Sequence, residues 1–240
     1  ETAIDKSQPN AGRIFRLEEG DWANLQTSYR KVFGSFPEIE QYVQFDSWQK
    51  PILRVGDRVF DSSNLVFADD AVFDVFRFKF IRGSSERALE DPYSLVLTRS
   101  EARRLFGSED PMGRTIVLDN TFSYTVTGIV EDPDDFHLEW RALAPFKSLP
   151  VLTGRPEFLD DHNDNFPTYL LLRPQTDPSA LTEKLAAALN ALRGPDGPAR
   201  FRLRPFRDIY FNRDTAVMES GVKHGNRNLV ILFSAVAVLI

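Results

Sequence analysis

The sequence predicts an α+β protein in which two strand–helix–strand units, one near each end, enclose a β-rich middle. Three observations carry that reading. An alternating apolar–polar run, a segment of helical spacing and a second extended run follow one another in residues 13–46. The same order returns in residues 168–206. Between them, roughly a hundred residues hold short apolar runs broken by Gly, Asp, Asn and Ser, which read as strands and turns. There is no sequence repeat, only this architectural echo, so the expectation is a split domain with a second domain inserted.

RIFRLEE (13–19) alternates charge with apolar residues and reads as a strand. DWANLQTSYRKVFG (21–34) sets Trp22, Leu25, Tyr29, Val32 and Phe33 at helical spacing, with Asp21 as N-cap and Gly34 as stop. IEQYVQFD (39–46) returns to an extended pattern. PILRVGDRVFDSSNLVFAD (51–69) is a β region with turns at Gly-Asp and Ser-Ser. DDAVFDVFRFKFIRG (69–83) is dense in Phe and starts as a short helix at Asp69 or Asp70; its aromatics are expected in the core. YSLVLTRS (93–100) is a strand, and TRSE (98–101) is a capping box that opens a helix closed by Gly107. GRTIVLDN (113–120) and FSYTVTGIVED (122–132) are strands joined at Asp119-Asn120. LEWRALAPF (138–146) reads as a further strand, and TYLLLRP (168–174) as another. Asp177-Pro178 then starts a helix whose stripe is Leu181, Leu185, Ala188, Leu189 and Leu192, stopped at Gly194-Pro195. FRLRPF (201–206) is the closing strand.

Composition bounds the function. The chain has 240 residues, 42% apolar and 27% charged, with 20 Phe to build a core. A net charge of −6 excludes the basic footprint that nucleic acid requires. With no Cys there is no disulfide, thiolate metal site or Cys nucleophile. His137, His162 and His224 are too dispersed for metal-ligand spacing. Gly-x-Ser-x-Gly, the P-loop and Gly-x-Gly-x-x-Gly are all missing, so any ATP chemistry sits on another chain.

Three stretches carry enough polar chemistry to be weighed. LDDHNDN (159–165) offers Asp160, Asp161, His162, Asn163 and Asp164, which would suit a metal-dependent hydrolase. It lacks the alternation, central Gly and distal Glu of a calcium loop, and clustered Asp and Asn more often mark a solvated turn. EDPDD (131–135) with His137 beside it could do acid–base work, but follows a strand where a polar loop is expected. Arg200, Arg202 and Arg204 share one face of a strand, either toward anionic headgroups or an acidic partner, or simply toward water. The expectation is therefore no catalytic, cofactor-binding or metal residue.

SLVLTRSEARRLFGSEDPMGRTIVLDNTFSYTVTGIVEDPDDFH (94–137) is the most specific stretch. A strand ending Leu-Thr leads to a helix ending Phe-Gly, then Asp-Pro-Met-Gly-Arg, then two strands. It resembles the MacB-like periplasmic core domain of ABC-transporter permeases of the FtsX-like family. NAGRIFRLE (10–18), VFADDAVFDVFRFKFIRG (66–83), FPTYLLLRPQTDPSALTEKL (166–185) and PFRDIYFN (205–212) are similar to further family segments in the same order. ETAIDKSQPN (1–10) lacks the aromatic or His that the family often carries there.

The resemblance implies a porter-like subdomain from residues 1–67 and 168–227, an inserted β-rich subdomain at 68–167, and the start of a truncated transmembrane helix at 228–240. It implies a non-enzymatic, extracytoplasmic role at the inner membrane: transmission of ATP-driven motion and efflux. The implied partners are a cytoplasmic ABC ATPase, a second permease copy, and a periplasmic or outer-membrane protein. A membrane-anchored binding or adhesion module is the rival reading. Gly107, Pro111 and Gly113 read as scaffold at chain reversals.

The last run fits this picture. Leu229, Val230, Ile231, Leu232, Phe233, Ala235, Val236, Ala237, Val238, Leu239 and Ile240 are interrupted only by Ser234. As a helix they would be about 18 Å long, against a bilayer core of about 30 Å that takes about 20 residues. The opening at Glu1, with no leader in view, and this apolar end give the expectation of a piece cut from a longer protein, with 229–240 the first half of a span.

Overall fold

The computed structural model describes residues 8–62, 64–133, 136–160, 162, 166–193, 197–210, 212 and 225. The α+β class holds, and most of the expected elements form. β1 (Ile14–Glu19) opens the fold. The helix expected over 21–34 is cut to its last turn. Trp22 instead bridges back to Glu19, and β2 (Asn24–Leu25) pairs with Pro167 and Phe166. A 3-10 turn at Thr27–Tyr29 then leads into α1 (Arg30–Phe33). Strand pairing with a distant segment outweighs local helical spacing here, and Thr and Ser are weak helix formers. The apolar positions still do what the spacing demands: Leu25, Tyr29 and Phe33 are fully buried, while Trp22 is 50% exposed.

β3 (Ile39–Asp46), the hairpin β4 (Leu53–Val55) and β5 (Arg58–Phe60), and β6 (Leu65–Ala68) follow. One turn of helix, α2 (Val72–Val75), and β7 (Phe80–Arg82) hold the Phe-rich stretch. β8 (Ser94–Thr98) runs into α3 (Arg99–Phe106). Thr98 caps α3 by accepting the Glu101 N–H, as the capping box predicts. The Glu101 carboxylate does not reach back, however, because Arg104 takes it. β9 (Thr115–Leu118) and β10 (Phe122–Val130) form the expected hairpin, with Asp119 and Asn120 both at positive φ.

β11 (Ala142–Pro145), α4 (Leu149–Leu152), β12 (Phe166–Leu172), α5 (Pro178–Arg193), β13 (Phe201–Pro205) and α6 (Phe206–Ile209) complete the chain. The strands join in one path, β13-β1-β12-β3-β6-β11-β8-β10-β9-β4-β5. Its first half, β13-β1-β12-β3, comes from the two chain-terminal units. Alternation along β1 sends Phe15 and Leu17 to the α5 side, against Leu181, Leu185 and Leu189. Ile14 goes to the opposite side, into the Phe-rich core. The second half runs from β6 to β5 and packs α3 against Leu95, Leu97, Ile116 and Tyr124. Although β4 and β5 precede β6 in the chain, they ladder onto β9 in the second half.

A tight joint locks β7 to β10. Gly83 sits at φ +81°, and a Cβ there would lie 2.5 Å from the Thr127 carbonyl oxygen. Gly107 has a similar φ, +64°, but open space around it. Gly83→Ala should therefore cost about 4 kcal/mol, strain plus backbone clash, and Gly107→Ala about 2 kcal/mol, strain alone, since its ψ of −118° lies outside the left-handed well. Urea titration of both variants checks this; equal losses would mean that the close approach to Thr127 does not matter.

Candidate functional site

The two halves of the sheet meet at one narrow seam. β3 pairs with β12 through Gln44 and then switches partner, with only Phe45↔Ala68 and Asp46↔Phe67 joining it to β6. Asp69, next after β6, reinforces this short ladder. Its Oδ2 accepts the Gln44 N–H at 2.8 Å, and its own N–H donates to the Gln44 carbonyl at 3.3 Å. The Arg30 guanidinium, carried in from α1, pairs with the Asp69 carboxylate. Arg30 also lies over the rings of Phe146 at 5.2 Å and Tyr42 at 5.7 Å. Burial opposes the charge on Arg30, but Asp69 and Tyr42 beside it hold its proton more firmly than usual. The Gln44 side-chain amide reaches Thr168 of β12 at 3.2 Å. Asp46, also buried, accepts from Trp48 N at 2.7 Å and Gln49 Nε2 at 3.1 Å; burial still pushes its carboxyl above the ordinary range.

Beside the seam lies a cluster of rings drawn from five parts of the chain. Phe76 is within 5.0 Å of Phe136, 5.4 Å of Phe206, 5.5 Å of Tyr169 and 6.0 Å of Phe45, ring centre to ring centre. His137 is fully buried in it, with Nε2 2.7 Å from the Tyr169 hydroxyl. Phe136 and Tyr169 meet Phe76 edge-on, and Phe45 and Phe206 meet it at a tilt, so the core is held by directional ring contacts. The acid–base grouping weighed at 131–137 is not brought together: Glu131 meets Lys79 and Arg99, Asp132 takes the Ser100 N–H, and His137 turns inward. Asp134 and Asp135 lie outside the described residues.

The arginine row turns out to be half internal. Arg202 and Arg204 sit opposite Glu18 and Arg16 on the β1–β13 ladder. Glu18 Oε1 accepts from Arg16 Nη2 at 2.8 Å and Arg204 Nε at 2.6 Å, and Oε2 accepts from Arg202 Nη2 at 2.6 Å. Burial works against the charge on Glu18, but the guanidiniums of Arg204, Arg16 and Arg202 outweigh it and hold the carboxyl below its usual range. Arg200 and half-exposed Arg202 face water as the solvated reading expects, whereas Arg204, 13% exposed, departs from it and turns onto Glu18.

The metal reading of 160–164 finds no support in its described members. Asp160 pairs with Lys31 at 2.9 Å on the surface, and His162 Nδ1 is 2.8 Å from Gln26 Oε1. Asp161, Asn163 and Asp164 lie outside the described residues, as do Leu229–Ile240. Among the described residues, no group of three or more His, Asp or Glu could hold a metal ion, and no helix is long and apolar enough to cross a membrane.

Sequence reasoning passed over Arg30, Gln44 and Asp69. Their partners are far away in the chain, and nothing local marks a charge for burial.

The family model of the MacB-like periplasmic core domain matches residues 2–188. A search of the curated proteins gives no match. Among solved structures, a domain assigned to a permease protein from Porphyromonas gingivalis is 18% identical. It superposes with a TM-score of 0.69 over 93% of this chain and 98% of that one. The periplasmic region of MacB from Actinobacillus actinomycetemcomitans is 18% identical, with a TM-score of 0.63 over 87% of this chain and 96% of that one. The extracellular domain of the noncanonical ABC-type transporter YknZ from Gram-positive bacteria is 13% identical, with a TM-score of 0.60 over 79% and 98%.

Proposed function

The chain belongs to the family of MacB-like periplasmic core domains, and from that premise we propose that it is the extracytoplasmic domain of an ABC-transporter permease, transmitting ATP-driven conformational change rather than catalysing a reaction. One observation carries this beyond family membership. β1 and β13 are antiparallel neighbours, with Phe15 opposite Pro205. The chain therefore enters and leaves the sheet at the same end, as a domain set between two membrane helices must. The second half of the sheet hangs on this pair through the seam at β3 and β6.

In this reading residues 1–67 and 168–227 form the porter-like part, and 68–167 the inserted part. The β4–β5 hairpin reaches across to β9 of the insert. Residues 229–240 start the following membrane helix. The partners are a cytoplasmic ATPase, a second permease copy, and a periplasmic or outer-membrane protein met by the part of the domain far from the chain ends. Motion is supplied by whatever difference in stability the ATP-bound and free states impose on paired domains.

The test uses the lack of cysteine in this chain. In membranes holding the full-length protein, with any cysteine outside these 240 residues replaced, Val236→Cys should resist a membrane-impermeant maleimide, while Gln175→Cys, exposed after β12, should react. Rapid labelling of both positions would overturn the placement of 229–240 in the bilayer.

A further inference from the structure

Gln8 is 3% exposed and stands shortly before β1. Its side-chain amide bonds both backbone groups of one distant residue. Nε2 donates to the Arg77 carbonyl at 3.1 Å, and Oε1 accepts the Arg77 N–H at 2.7 Å. A primary amide carries donor and acceptor on one planar group, so it can stand in for a neighbouring strand. Arg77 is itself fixed between two anchored rings. Phe76 packs in the central aromatic cluster, and Phe78 packs on Phe136 at 5.2 Å and Trp140 at 5.1 Å. Soon after it, β7 joins β10 in the second half of the sheet.

On its other side Gln8 is wound directly into the first half. Ala11 N donates to the Gln8 carbonyl at 3.1 Å, and Ile14 N donates to the Asn10 carbonyl at 3.1 Å where β1 begins. The N-terminal segment is thus tied to both halves at once, through β1 and through Gln8.

We propose that Gln8 is a coupling residue: it delivers displacement of the N-terminal segment to residues 76–82, and through β10 to the second half of the sheet, in parallel with the seam. This rests on reading the chain as a permease domain, in which that segment follows a membrane helix. A buried amide can also be bonded merely to complete a fold. The two roles differ in what they predict for motion.

The test is made in the full-length permease with its ATPase, in a cysteine-free background. Spin labels are placed at Ala180→Cys on α5 and Arg87→Cys beyond β7, both exposed positions. The unaltered clasp should show an ATP-dependent change in the distance between labels. Gln8→Met keeps the stem and removes both bonds; Gln8→Glu turns the donor into an acceptor facing the Arg77 carbonyl. Each should cut that distance change at least by half while ATP turnover continues. No ATP-dependent change with Gln8 intact would overturn the permease reading itself. An intact change in both variants would overturn the coupling role alone. A further measurement needs no variant: in the 240-residue chain, the Arg77 amide should exchange at least about tenfold more slowly than an open loop. An unprotected Arg77 would remove the clasp.

Discussion

Glu18→Gln should cost about 3–5 kcal/mol of folding stability, the range for removing one partner from a buried ion pair. Glu18 is fully buried and Arg16 is 1% exposed, so water cannot replace the lost charge cheaply. Among the described residues, at least five N–H groups of three guanidiniums point at two carboxylate oxygens. Glutamine keeps one oxygen and turns an NH2 toward donors. The loss is uneven. Arg202 is half exposed, so water can follow it out, and Arg202→Ala should cost about 1–2 kcal/mol, less than loss of the buried partners although Glu18 itself is buried. Arg16 and Arg204 carry the rest.

The pH dependence gives a second handle. Because the Glu18 carboxyl is held below its unfolded value, its contribution is present above about pH 4.3 and is lost as pH falls through the folded value. The variant should therefore show a large deficit at pH 7 that shrinks below about pH 4. Urea titrations at pH 7, 5 and 3 check both parts. A deficit constant with pH would mean that the carboxylate charge is not what stabilises the ladder.

Elements whose causes are local were legible. Thr98 caps α3, Asp119-Asn120 turns the β9–β10 hairpin, and Leu181, Leu185 and Leu189 mark the buried stripe of α5. Each needs only a few neighbouring residues to specify it. The Phe-rich stretch belongs to the core as its composition predicts: Phe76 is fully buried, and Phe73, Phe78 and Phe80 pack, partly buried, against the same cluster. What failed was decided by distant strands. The helix expected over 21–34 gave way because Asn24 and Leu25 find Pro167 and Phe166. The site was less legible still. Nothing local marks Arg30 for burial, Asp69 reads only as a possible start of a short helix, and Gln8 lies in an opening stretch with no pattern of its own. Their roles exist only once β3 meets β6 and residue 77 meets residue 8.

Asp69→Asn should cost about 3 kcal/mol, and Asp69→Ala up to about 5 kcal/mol, most of it as loss of the seam. Asn keeps an acceptor for the Gln44 N–H but leaves the Arg30 charge uncompensated between Tyr42 and Phe146; Ala loses the acceptor as well. At 17% and 13% exposure, neither member of the Arg30–Asp69 pair can turn freely to solvent. The two single losses should not add. Arg30→Met with Asp69→Asn removes both charges, so the double variant should recover at least about 2 kcal/mol against the sum. Hydrogen exchange separates a latch from general core support. The amides of Asp46, Phe67 and residue 69, which face across the seam by the alternation that the Asp69 N–H to Gln44 carbonyl bond sets, should open in Asp69→Asn at lower free energy than those of β12 and β10. The halves would then part locally before the domain unfolds. If all these amides instead lose protection together, in step with global stability, Asp69 braces the whole core and not the β3–β6 seam in particular.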